Sequence, residues 1–265
     1  MNDSLQFNSG YSEVNGLRMY YEIYGSGKPL VLIHGGGSTI QTTFGNIIPE
    51  LAKHRQVIAM ELQAHGRTND RAAGLSFEQD ADDVATLCKN LHIAKADFLG
   101  FSNGGQTTIE IALRYPDLTN KIIIASAFYK PSAVVPQFWD GFNHATLYHM
   151  PQILREAYLQ VTNNDEAGLL NMFNRDVQRM KTFKGWSDEQ MKSIKSAALI
   201  INGTKDVGSV EHAVEMYRLL PHAKLAILPG GHGDYLGEST RPQDSTLIAA
   251  TVSMINRFLD EPVAK

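Results

Sequence analysis

Cysteine is nearly absent from this chain. Cys88 stands alone, so no internal disulfide can form, and a reducing, cytoplasmic setting is expected. Long apolar runs are also missing: none approaches the roughly 18 residues that span a bilayer, which argues against a membrane partner. The opening residues, Met1 to Gly10, are polar and carry no apolar core of a secretion signal. Positive charge is neither abundant nor clustered. Lysine and arginine total 24 against 28 acidic residues, a net charge of −4, which excludes nucleic acid as an expected partner. The histidines His144, His149, His212 and His222 lack metal-ligand spacing and read as surface residues or parts of an insertion, so neither a metal nor another cofactor is expected. Internal repeats, low-complexity tracts and Gly/Ser-rich linkers are absent too. What remains is a 265-residue chain that is 43% hydrophobic, enough for one large α/β domain with room for an insertion. Nothing in the composition bears on oligomeric state.

Within that chain one stretch stands out, Ala96 to Gln106, centred on Gly100-Phe101-Ser102-Asn103-Gly104. A serine whose oxygen must stand clear of the surface needs a sharp strand-to-helix turn, and such a turn leaves no room for side chains two residues away. Glycines on both sides supply the room. Ala96 to Leu99 reads as the end of an apolar strand, and Thr107 to Tyr115 as a helix stopped by Pro116.

Other segments alternate between strand and helix. Asn15-Gly16, between Tyr11–Val14 and Leu17–Tyr24, is a hairpin signal. Pro29–Ile33 is a continuous apolar strand leading into His34-Gly35-Gly36-Gly37, and Gln56–Met60 is another strand. Ser76 and Gln79 form a capping box for a helix whose buried face includes Cys88, read as a core residue. Asp80, Asp82 and Asp83 then read as an acidic first turn that favours the helix dipole. Lys121 to Phe128 is a further strand. From Pro131 to Trp186 the alternation stops, and several short helices with eight aromatic residues are expected as an inserted cap. Residues 1–130 and 187–265 would then form the core. Strands Ala197–Ile201 and Lys224–Leu228 follow, with helices Val210–Leu220 and Thr246–Leu259.

Such alternation implies a mostly parallel sheet with helices on both faces, and ligands gather at the carboxyl ends of its strands. Four conspicuous segments sit at those ends and supply glycines, Ser102, Asp206 and His232. A serine hydroxyl needs a neighbouring base titrating near neutrality, and that imidazole needs a carboxylate to orient it. Asp206 follows a strand, whereas Asp234 lies in the same loop as His232 and is the competing carboxylate. Attack on a carbonyl also needs preorganised N–H donors, which the glycine turn and the Asn103 amide can offer.

These motifs resemble the α/β-hydrolase superfamily in its capped, esterase- and lipase-like branch. The resemblance rests on His34-Gly-Gly-Gly37, Gly100-x-Ser102-x-Gly104, Gly203-x-x-Asp206, Gly231-His232, and His65-Gly66-Arg67-Thr68, where the family has serine in place of Thr68. It implies Ser102 as nucleophile, Asp206 as orienting acid and His232 as base. Gly36, Asn103 and Gly37 would supply the oxyanion hole, and His34 and His65 would hold their loops. Serine at the elbow argues against the dehalogenase and epoxide hydrolase branches, which use aspartate there. A small-molecule substrate is expected in an enclosed pocket between cap and core, with Phe101, Phe128, Trp139 and Phe142 as candidate contacts. The expected reaction is hydrolysis of a small or medium carboxylic ester, thioester or lactone. The competing readings are carbon–carbon bond hydrolysis, perhydrolysis or cyanohydrin cleavage on the same residues, and a non-catalytic small-molecule receptor.

Overall fold

A computed structural model describes residues 6–262. The reading of the first ten residues therefore falls partly outside the described chain. Eight strands form one sheet: β1 (Phe7–Val14), β2 (Leu17–Tyr24), β3 (Lys28–Ile33), β4 (Arg55–Met60), β5 (Ala96–Phe101), β6 (Thr119–Ala125), β7 (Ala197–Gly203) and β8 (Ala223–Leu228). Their order is β1-β2-β4-β3-β5-β6-β7-β8. β1 and β2 make an antiparallel hairpin in which Val14 pairs Leu17, and β2 runs antiparallel to β4. Every pairing from β4 to β8 is parallel. Asn15 and Gly16 take φ of 46° and 86°, the left-handed values a two-residue hairpin turn requires.

The parallel strands are continuous apolar runs because both faces are covered. One face packs against α3 (Phe77–Asn90), α4 (Asn103–Arg114) and α9 (Val210–Leu219), around Val31, Phe98, Ile122 and Ile200. The other packs against the short α1 (Ile40–Phe44) and α2 (Ile48–Leu51) and the long α10 (Ser245–Asp260), around Leu30, Leu99, Ile123 and Ile201. Cys88 lies in the first core, where burial pushes its thiol up to about 12 and leaves it unreactive.

β6 ends at Ala125, three residues before the expected end at Phe128. Ser126 turns the chain with φ of 51°. The chain then leaves the sheet for α5 (Pro136–Asn143), α6 (Gln152–Val161) and α7 (Glu166–Lys181), returning through α8 (Asp188–Ser193) to β7. Two apolar clusters hold this insertion. Met150, Leu154, Tyr158, Leu169 and Met172 form one. Phe77, Phe128, Ala133, Val134 and Met180 form the other, ringed by Phe138, Trp139 and Phe183.

The acidic turn of α3 departs from expectation. Asp80 and Asp83 are buried, and each meets an arginine, Arg179 at 2.6 Å and Arg71 at 2.5 Å. Asp82 pairs with Arg114. These carboxylates are ion-pair partners that tie α3 to α7, to the loop after β4 and to α4, so compensation of burial outweighs any role toward the helix dipole. His212 departs as well. It is buried in α9, accepts the Tyr129 amide and stacks on the Tyr129 ring, and burial lowers its pKa to about 4. His144, His149 and His222 are exposed.

Candidate active site

The carboxyl ends of the six parallel strands lie on one side of the sheet. Ser102 sits between β5 and α4 with φ 53° and ψ −122°, a sparsely populated conformation for a residue with a side chain. The close packing around it accounts for the glycines. A Cβ on Gly100 would strike the Gly104 carbonyl, and one on Gly104 would strike the carbonyl oxygens of Ile33 and His34. The strained turn holds the serine oxygen out toward the loop after β8. There Ser102 Oγ lies 3.0 Å from His232 Nε2, and His232 Nδ1 lies 2.6 Å from Asp206 Oδ1. A carboxylate only accepts hydrogen bonds, so Nδ1 carries the proton and Nε2 is left to accept from the serine hydroxyl.

Asp206 is completely buried and fully engaged. Besides His232, it accepts from the Val207 amide at 2.8 Å, the Gly203 amide at 2.9 Å and the Ser126 hydroxyl at 2.5 Å. Burial raises its pKa, but the bond to His232 and that residue's charge, with Ser126 and Gly203, outweigh the rise and hold it below the ordinary carboxylate value. Ser126 in turn meets the buried Tyr235 hydroxyl at 2.7 Å. Asp234, the competing carboxylate, faces elsewhere: it binds Arg241 at 2.5 Å and the Gly231 amide at 2.7 Å.

The glycine turn after β3 lies across from Ser102. His34 is buried within it. Its Nε2 accepts the Leu62 amide at 3.0 Å, and its Nδ1 donates to the Gly35 carbonyl at 2.7 Å. Burial lowers its pKa to about 3, so it is neutral and serves to hold the loop. The Gly36 and Asn103 amides have no acceptor among the described residues. The Gly37 amide does: it donates to Asp176 Oδ2 at 2.7 Å. Gly37 is therefore corrected out of the oxyanion hole, because its N–H is already committed to a carboxylate.

Asp176, on α7, carried no signal in the sequence. It sits among Gly37, His65 and Arg179, with His65 Nε2 at 3.0 Å and Arg179 at 2.5 Å. His65 Nδ1 donates to the Gln63 carbonyl. Burial alone would depress the His65 pKa; the neighbouring Asp176 charge overrides it and raises the net value. Burial also opposes the Asp176 charge, but His65 and Arg179 overcome it and hold this carboxyl well below its usual range.

Between the insertion and the sheet edge lies a cavity of about 520 Å³. Ser102, Asn103 and His232 line its core side, and Phe138, Met172 and Phe173 are among the apolar side chains opposite. Phe128 and Phe142 line it as expected, but Phe101 and Trp139 do not. Phe101 is buried on the far side of the imidazole, 4.8 Å from the His232 ring. Trp139 stacks on Phe183 and donates its indole N–H to the Pro131 carbonyl, so it packs the insertion. Among the described residues, Asp176 is the only carboxylate in the lining, and no lysine or arginine is there. Among the described residues, no group of His, Cys, Asp or Glu side chains is arranged to hold a metal ion, and no helix is long and apolar enough to cross a membrane.

Comparison with known proteins agrees with this architecture. A family model described as alpha/beta hydrolase fold matches residues 28–183. The pyrrolizixenacetamide deacetylase of Xenorhabdus hominickii is 31% identical over 116 residues, 44% of this chain and less than half of that relative's length, also 44%. The 2-hydroxy-6-oxo-2,4-heptadienoate hydrolase of Pseudomonas putida is 24% identical over 225 residues, covering 77% of this chain and 81% of the relative. The crystal structure of the enol-lactonase from Burkholderia xenovorans superposes with a TM-score of 0.76 at 21% identity, covering 95% of this chain and 100% of the other.

Proposed function

The chain belongs to the alpha/beta hydrolase fold family, and from that premise we propose that it is a serine hydrolase of small or medium carboxylic esters, with Ser102, His232 and Asp206 as its catalytic triad. The observation that carries this reading is the unbroken chain from Ser102 Oγ through both ring nitrogens of His232 to the buried Asp206 carboxylate, opening into a largely apolar cavity of about 520 Å³. In the proposed reaction Ser102 Oγ attacks the ester carbonyl while its proton passes to His232 Nε2. The carbonyl oxygen becomes an oxyanion between the Gly36 and Asn103 amides, the two donors left without partners. Asp206 keeps Nδ1 protonated and offsets the charge on the imidazolium. His232 then returns the proton to the leaving alcohol as the carbon–oxygen bond breaks. A water, deprotonated by the same nitrogen, releases the acid and restores the serine.

A cavity of about 520 Å³ beneath the insertion favours substrates that fit within it over lipid droplets or polymers. An acyl-chain series of p-nitrophenyl esters tests this: turnover should peak at short or medium chains. Equal or better turnover of emulsified long-chain triglyceride would contradict it. Carbon–carbon bond hydrolysis is the second reading, favoured by the similarity to the heptadienoate hydrolase over 77% of the chain. Against it stands the chemistry of the cavity, since a dienoate carries a carboxylate and the lining offers no lysine or arginine to receive one.

A further inference from the structure

Beyond Ser102, His232 and His149, the polar side chains lining the cavity are those of Asp176 and Asn103. Asp176 and Asn103 both stand beside Gly36, whose amide belongs to the proposed oxyanion hole. A Cβ built on Gly36 would lie 2.5 Å from Asn103 Nδ2 and 3.2 Å from Asp176 Oδ2. Both side chains line the cavity. Asp176 Oδ2 accepts two bonds, from the Gly37 amide and from His65, whereas Oδ1 accepts only one, from Arg179. An ionised carboxylate oxygen accepts two, so Oδ1 has an acceptor site to spare. The side chain is 13% exposed, while both of its cationic partners lie behind it, His65 at 0% and Arg179 at 2%. The cavity thus meets the carboxylate and not its counter-charges. Asn103 presents a carboxamide that has no protein partner among the described residues.

Orientation follows from the chemistry. A leaving oxygen must face His232 to receive its proton, and in the proposed pose the acyl chain takes the part of the cavity lined by Gly36 and Asp176. We propose that Asp176, with the Asn103 carboxamide beside it, forms an acyl-side subsite selecting substrates with a hydroxyl or amine on the first or second carbon from the scissile carbonyl, and rejecting those with a carboxylate there. This inference rests on the ester-hydrolase reading. A donor in that position can bond the Asp176 carboxylate, which has an acceptor site to spare, whereas a carboxylate there sets acceptor against acceptor with no lysine or arginine in the lining to relieve it. A hydrogen bond to a charged group corresponds to a preference of roughly 10- to 100-fold.

The test is kcat/KM of the wild-type protein on three methyl esters of matched size, followed by proton release. Methyl phenylacetate has no polar substituent, methyl mandelate carries an α-hydroxyl, and monomethyl phenylmalonate carries an α-carboxylate. Each rate is divided by the alkaline hydrolysis rate of the same ester, which removes intrinsic reactivity. Mandelate should exceed phenylacetate by about 10-fold or more, and phenylmalonate should fall below it by at least as much. Equal normalised rates on all three would overturn the subsite and leave the esterase reading intact. No hydrolysis of any simple ester would overturn both. Asp176→Asn should collapse the ratios, mainly through KM. A folded variant that keeps them would also overturn the proposal, and if the variant does not fold, the wild-type series decides alone.

Discussion

Replacing Asp206 by asparagine removes one charge and almost no volume, yet the geometry leaves the amide no good orientation. Asp206 accepts from His232 and Val207 on Oδ1, and from Ser126 and Gly203 on Oδ2. If the amide nitrogen takes the Oδ1 position, it donates to His232 Nδ1. The imidazole proton then moves to Nε2, and the base can no longer accept from Ser102. If the nitrogen takes the Oδ2 position, it points a donor at the Gly203 amide, and the imidazolium still loses its compensating charge. Either way kcat should fall by about 10³ to 10⁴, equivalent to about 4–5.5 kcal/mol of barrier. Asp234→Asn gives the contrast. Asp234 serves Arg241 and the Gly231 amide and has no bond to the imidazole, so this variant should retain kcat within about threefold, the effect of a partly exposed ion pair. The assay is single-turnover and steady-state hydrolysis of one p-nitrophenyl ester by both variants, with circular dichroism to establish folding. A folded Asp206→Asn protein with near-wild-type kcat, or an Asp234→Asn protein with the large loss, would refute the assignment of the acid.

Three further outcomes are expected. Ser126→Ala removes the hydroxyl that steadies Asp206 Oδ2 and should lower kcat about 10-fold with little change in KM; an unchanged kcat would show that the other bonds suffice. Gly104→Ala drives a Cβ into backbone carbonyls of the β3 end, and should cost about 3 kcal/mol or more or abolish soluble expression, as read by thermal unfolding. The His65–Asp176 pair gives stability a defined pH window. The raised His65 pKa contributes stability that is complete below the unfolded histidine value of about 6.5 and is lost as pH rises through the folded value. The lowered Asp176 pKa contributes stability present above about pH 4 and lost as pH falls toward its folded value. The pair's own contribution should therefore be greatest between these limits, and the Tm difference between wild type and His65→Gln should shrink as pH rises above them; a difference that stays constant with pH would assign the decline to other groups.

The three residues of the proposed triad were legible because each follows an apolar strand and is flagged by glycine, which sequence displays directly. The sheet was legible for a related reason, since strands buried on both faces are continuous apolar runs. Partnerships across the fold were not. Nothing local marks Asp176, since an aspartate on a polar helix looks solvated until the 139 residues separating it from Gly37 are folded together. Asp80 and Asp83 were read as helix-dipole groups because their arginines lie far along the chain or in a loop. Ser126 was hidden inside an apparent strand, since its left-handed φ leaves no mark in a run of apolar residues. Phe101 and Trp139 were expected in the cavity because aromatics suit both walls and packing, and only the backbone decides which way each ring faces.

The central claim is that Ser102 is the nucleophile. Labelling the native protein with a fluorophosphonate and locating the adduct by peptide mass analysis tests it most directly. The account predicts one adduct, on Ser102, that is absent in Ser102→Ala, together with a loss of ester hydrolysis of about 10³ or more in that variant. An adduct on another residue, or near-wild-type turnover by folded Ser102→Ala protein, would contradict it.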